Sequence, residues 1–237
     1  MCTVIIRVPE AAGSSVQLLA VRDEDPARPW NPLGRWWPDQ SGVVGVRDAR
    51  AGGAWLAADP HTRRLAVLLN RADVSARPES ELISRGGIVL DAVAGRAPQE
   101  APATHGFNLV EVTPSGARVM SWDGATLQTT ELSPGTHMLA HEDVDDPRTP
   151  RIARWLGDFR DAAPREGASW WQPWIDVLGR SAELPSRDDR AIIRDNRPHG
   201  YPTLSLLVCV AEVSATGIDV RYGELGEPGE WNSLELT

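Results

Sequence analysis

The chain begins Met1-Cys2-Thr3, and a cysteine at position two suggests a particular chemistry. An initiator methionine is normally removed when the next residue is small, and cysteine qualifies. Cys2 would then carry a thiol and a free α-amine, which titrates near pH ~8. That amine can take the thiol proton directly or through a water, so one residue supplies both nucleophile and base. The stretch Val21-Arg22-Asp23-Glu24 offers the supporting groups. Arg22 would favour the thiolate, Asp23 would hold the α-ammonium, and the Asn70 amide would face a developing oxyanion. The plainer reading is a small buried residue at the start of a strand, and the residues alone leave both open. Cys209 sits inside an apolar run and reads as a buried structural thiol.

Other constellations carry less chemistry. His137 and His141 have the spacing of a metal pair on a helix, but the segment around them reads as strand or loop and offers no third ligand, so no metal is expected. The acidic run after His141 lacks the alternation and glycine of a calcium loop. Arg85 either reads a substrate carboxylate or pairs at a helix start. Trp55 is either core or site wall, and Gly52 and Gly53 beside it can let a ligand approach the backbone. The ten Trp are core fillers or an aromatic wall for a flat or apolar ligand.

Composition narrows the function classes. The chain has 237 residues and a net charge of −9, which argues against a general nucleic-acid binder. Its 24 basic residues are all Arg. Without Lys there is no Schiff base, no pyridoxal-phosphate lysine and no phosphate-loop lysine. Hydrophobic content of 41% suits one globular domain over residues 1–237. No apolar run approaches the ~20 residues that span a bilayer, and no secretory signal opens the chain. Two cysteines fit free thiols in a reducing compartment, so a cytoplasmic protein is expected. The oligomeric state is left open.

The elements that must position these residues are mostly hairpins. Residues 2–8 and 16–22 read as paired strands whose positions sum to 24, which puts Cys2 opposite Arg22, about 5 Å away at Cβ. A second hairpin, pairing Ala58 with Arg64, brings Asn70 opposite Gly52. Residues 25–42 read as a loop. A helix is expected from Gly86 to Ala94, another starting at Thr149-Pro150, and a third capped by Ser169. Two further hairpins, at 105–124 and 203–225, complete an α+β chain.

Taken in order, the segments MCTVII, LLAVRDEDPARP, RWW, GVVGVRDARAGGAWLA, LAVLLNR, SRGGIVLDAV, HGFNLV and LSPGTHMLAH resemble the NRDE family, also called the transport and Golgi organisation 2 family. The resemblance runs from Met1 to about Phe159. It implies a four-layer αββα N-terminal-nucleophile hydrolase-like fold, with two largely antiparallel sheets packed between helices. It also implies Cys2 as nucleophile, supported by Arg22, Asp23 and Asn70, and a hydrolase of a non-peptide C–N amide with a small-molecule partner as its substrate. Glu24, Arg85, Asn108, His141 and Trp55 become candidate ligand contacts, with Asn108 equally readable as a hydrogen bond to a neighbouring strand or loop. Family members are associated with haem movement and with lipid or acyl-CoA metabolism. The alternative is therefore a non-catalytic haem or acyl-ligand trafficking protein, with haem a ligand and no cofactor required. Two positions depart from the family pattern. Val21 stands where the motif has Asn, and Ala140-His141 stands where a Ser-Asn pair is usual. If that Asn completes an oxyanion hole, its loss costs about 3 kcal/mol of transition-state stabilisation unless His141 replaces it.

Overall fold

The computed structural model describes every residue except 1, 12, 76, 97, 99, 100, 163–166 and 168. In chain order its elements are β1 (Thr3–Val8), β2 (Val16–Glu24), β3 (Trp30–Gly34), β4 (Val44–Asp48), β5 (Ala54–Asp59), β6 (Arg64–Asn70), α1 (Gly86–Val93), β7 (Phe107–Thr113), β8 (Gly116–Trp122), β9 (Leu127–Glu131), β10 (Gly135–Leu139), α2 (Pro150–Asp161), α3 (Gln172–Ser181), β11 (Leu204–Val213) and β12 (Ile218–Glu224). One sheet has the order β10-β1-β2-β11-β12, and the other is a meander running from β3 to β9. Every described pairing is antiparallel.

The four-layer αββα arrangement follows from which faces are apolar. Val4, Ile6 and Val8 of β1 enter the layer between the sheets, with Leu18 and Ala20 of β2 and Leu65, Val67 and Leu69 of β6. Ile5, Leu19 and Val21 face the other way and meet Ile152, Trp155 and Phe159 of α2 and Trp174 and Leu178 of α3. Buried on both faces, β1 and β2 read as near-continuous apolar runs. On the far side of the second sheet, Val89, Ala92 and Val93 of α1 cover Ala57, Ala66 and Leu68.

The β1–β2 register is the expected one, with Thr3 opposite Val21 and Arg7 opposite Gln17. The β5–β6 register is one residue off: Asp59, not Ala58, pairs with Arg64. The connecting turn explains the slip. Asp59 folds back to accept the His61 N–H at 2.9 Å, and Arg63 adopts a φ of 56°. The segment expected to be a loop contains β3, which pairs with β4. α1 and α2 begin where expected, but Thr149 makes no capping side-chain bond. α3 is preceded by Trp171 in the cap position rather than Ser169.

Most of the Trp residues belong to packing. Trp170, Trp171 and Trp174 stack edge-to-face, with centroids 5.6–5.7 Å apart, beside the helices α2 and α3. They form no wall around a ligand near Cys2.

Candidate active site

β1 and β2 deliver Cys2 and Arg22 to the same face, between the sheets. The Asp23 N–H lies 3.4 Å from Cys2 Sγ, and the sulfur in turn lies 3.7 Å from the Asp23 carbonyl oxygen. Arg22 is 2% exposed, and its guanidinium lies 5.8 Å and 6.0 Å from the ring centres of Trp30 and Trp55. Its Nη2 reaches Glu24 at 3.5 Å.

Two β-bulges shape this end of the sheets. In β5 the pairing with β4 skips Trp55, so Trp55 and Leu56 both enter the layer between the sheets. In β11 the pairing with β2 skips Leu206. Residues 207, 209, 211 and 213 face that same layer, so the extra residue turns Ser205 to the opposite face. There Ser205 Oγ donates to Asp23 Oδ1 at 2.6 Å, and Asn196 Nδ2 donates to Asp23 Oδ2 at 3.3 Å. Successive strand residues point to opposite faces. The Asp23 carboxylate therefore lies on the α2–α3 side, while Arg22 lies on the Cys2 side.

A cavity of about 420 Å³ opens beside Cys2. Arg22, Asp23, Glu24, Trp55, Asn70 and Arg85 all line it, so these expected site residues come together. Asn70 ends β6 at its rim, and Arg85 precedes α1 and donates from Nη1 to the Gly106 carbonyl at 2.7 Å. Burial lowers the pKa of Arg85, and the charges of Glu24 and Asp73 partly oppose that.

Several pocket residues escaped the sequence reading. Arg28 and Asp48 form a two-pronged ion pair at 2.8 and 2.6 Å. Burial pushes the Asp48 carboxyl up, but Arg28 and the Ala51 N–H outweigh it and hold the group below its ordinary value. His105 joins Asp73 at 2.9 Å to Glu79 at 3.1 Å, and both carboxylates raise its pKa. The signal for Arg28 and Asp48 lay in the quoted segments DPARP and GVRD, whose pairing is visible only in three dimensions.

Two expected contacts lie elsewhere. Asn108 is fully buried and bridges the sheets, donating to the Ala140 and Glu142 carbonyls at 3.2 and 2.9 Å and accepting from Ser121 at 2.7 Å. It does not line the cavity: these three partners and the Arg71 guanidinium, 3.4 Å from its Oδ1, saturate it inside the protein. His141 is also absent from the lining. Burial and then the charges of Arg151, Arg194 and Arg71 lower its pKa to about 4. Gly53 admits a helix rather than a ligand: a Cβ on Gly86, the first residue of α1, would fall 2.8 Å from Gly53 Cα. His137 is held by Asp145 at 2.8 Å, apart from His141, and no group of metal-binding side chains occurs among the described residues.

Burial is also the main influence on the Cys2 thiol and raises its pKa. The charge of the Asp23 carboxylate adds to this, and the Asp23 N–H and the Arg22 charge oppose it without reversing it. Arg22 acts on the thiol in the direction expected of it, toward the thiolate, and burial outweighs that pull. Cys209 is fully buried, and burial raises its pKa as well.

Comparison with known proteins fits this architecture. No curated protein matches the sequence. Among solved structures, the Caenorhabditis elegans ortholog of N-acylethanolamine-hydrolyzing acid amidase superposes with a TM-score of 0.54 at 12% identity. The match covers 88% of this chain and 92% of that one, and at this identity it establishes the fold alone. No described helix is long and apolar enough to cross a membrane. The family model described as Transport and Golgi organisation 2 matches residues 1–192, and the chain belongs to that family, on an N-terminal-nucleophile hydrolase-like fold.

Proposed function

We propose that the protein is an N-terminal cysteine hydrolase of a small non-peptide amide, active once Met1 is removed. Met1 lies outside the described residues. The observation that carries the reading is Cys2 Sγ set in a polar cavity beside the Asp23 N–H and the buried Arg22. A thiol whose pKa is raised holds little thiolate at neutral pH, so it needs a base at hand. The α-amine released by loss of Met1 provides one within the same residue.

In the reaction, the α-amine takes the thiol proton while sulfur bonds to the amide carbon. The C–N bond then breaks and the amine departs with that proton, leaving a thioester on Cys2. Water adds to the thioester, the C–S bond breaks, and the acid and the free thiol are released. Arg22 steadies the sulfur's charge, Asp23 with Ser205 and Asn196 fixes the end of β2, and Asn70 reaches the substrate from the rim.

The rival is a haem or acyl-ligand carrier using the same cavity. The lining favours the hydrolase, because four arginines and four acidic residues border the space. A macrocycle or long acyl chain calls for mostly apolar walls. Intact mass, an N-acyl amide panel and a haem titration separate the readings. The hydrolase requires loss of Met1 and an acyl adduct on Cys2, abolished in Cys2→Ala and slowed in Cys2→Ser. Retention of Met1, or saturable haem binding with no adduct from any amide, overturns it.

A further inference from the structure

Charge pairing around the cavity is uneven. Among its acidic residues, Asp48 is tied to Arg28, Glu79 to His105, Glu24 to Arg22, and Asp23 to Ser205 and Asn196. Arg85 has no carboxylate within ion-pair distance among the described residues, and the side-chain bond it makes there is to a backbone carbonyl. Two donors in the wall, Arg22 Nη1 and Trp55 Nε1, are buried and have no acceptor among the described residues. Arg22 is 2% and Trp55 7% exposed, so the protein holds both donors out of bulk water. A buried donor without an acceptor is costly and calls for an explanation. Arg85, with the first turn of α1 behind it, adds the positive end of a helix to the same space.

From this imbalance we infer that the cavity recognises a carboxylate-bearing amide. Arg85 binds the carboxylate, and the Arg22 and Trp55 donors face the amide oxygen next to Cys2. This rests on reading the cavity as the amide site and names its substrate class: N-acyl amino acids in preference to neutral amides. A site built to pair a charged group strongly rejects the analogue lacking it.

The test uses the full chain as Cys2→Ala, which cannot turn over. Calorimetric titration compares N-benzoylglycine with its neutral primary amide, N-benzoylglycinamide. The acid should bind at least tenfold more tightly than the amide. Arg85→Gln should bring the acid to the affinity of the amide, and Arg85→Lys should restore part of the difference. Trp55→Phe keeps the ring but removes the donor, so it should weaken acid and amide alike and leave their ratio unchanged. Circular dichroism confirms folding of each variant. Equal affinity for acid and amide, including no binding of either, overturns the inference, as does a preference unchanged in Arg85→Gln. Turnover by the wild-type chain keeps the two readings apart. Hydrolysis of neutral amides as fast as acidic ones sinks the carboxylate preference and leaves the hydrolase standing. Acid-selective binding with no hydrolysis does the reverse.

Discussion

The side chain that differs most from its sequence reading is His141. It stands where the family has an amide side chain, yet it is half-buried, its Nδ1 has no partner among the described residues, and burial and nearby guanidiniums hold its pKa at about 4. Between about pH 6.5 and 4 the unfolded chain binds a proton at this position that the folded chain does not. Stability contributed by His141 is therefore present above pH 6.5 and is lost as pH falls toward 4. His105 and His137 are raised and act in the opposite sense: what they contribute is present at low pH and lost as pH rises through their folded values. Urea unfolding across pH 4–7 should give a shallower acid decline for His141→Gln than for the wild-type chain. Parallel profiles would mean that His141 titrates normally. Cys2 opposite Arg22 was legible because a short antiparallel turn fixes a register. The low pKa of His141 was not, because it depends on burial and on the charges of Arg151, across the turn into α2, and Arg194, far along the chain, which come near it only after folding.

Among the elements, hairpins and helix starts were readable from periodicity and Pro placement, whereas bulges were not. A bulge adds one residue to one strand, and nothing at Trp55 or Leu206 announces it in the sequence. Yet these bulges decide which face Trp55 and Ser205 occupy, and so what surrounds Cys2 and Asp23. The paired glycines of AGG and SRGG were visible as motifs, but their meeting was not. Gly53 and Gly86 let α1 approach β5 so closely that a methyl group on either would strike backbone. Gly53→Ala should destabilise the protein by about 1–3 kcal/mol. It should also weaken carboxylate binding, because Arg85 is carried by the residue just before α1. Thermal unfolding and the same calorimetric titration measure both effects. An unchanged affinity in the folded variant would detach α1 from the site.

For the molecule as a whole, the question is what keeps two sheets in register around one cavity. Apolar packing between them is non-directional and tolerates sliding, so a fixed geometry needs directed contacts. Asn108 provides them. It rises from β7 in one sheet and donates to the chain just beyond β10 in the other, while Ser121 and Arg71 hold its carbonyl oxygen. The GFNL segment marked this residue both as a hydrogen bond to a neighbouring strand or loop and as a candidate ligand contact, and its bonds are of the first kind. One chain cannot reveal that the amide is spent on two backbone carbonyls 32 and 34 residues away. Asn108→Ala removes these bonds and strands buried acceptors, at a cost of about 2–4 kcal/mol. If Asn108 holds the sheets together, the folded variant should bind N-benzoylglycine within about twofold of the unmutated chain while its urea midpoint drops. A variant of unchanged stability that no longer binds would return Asn108 to the ligand site and leave the alignment of the two sheets to packing alone.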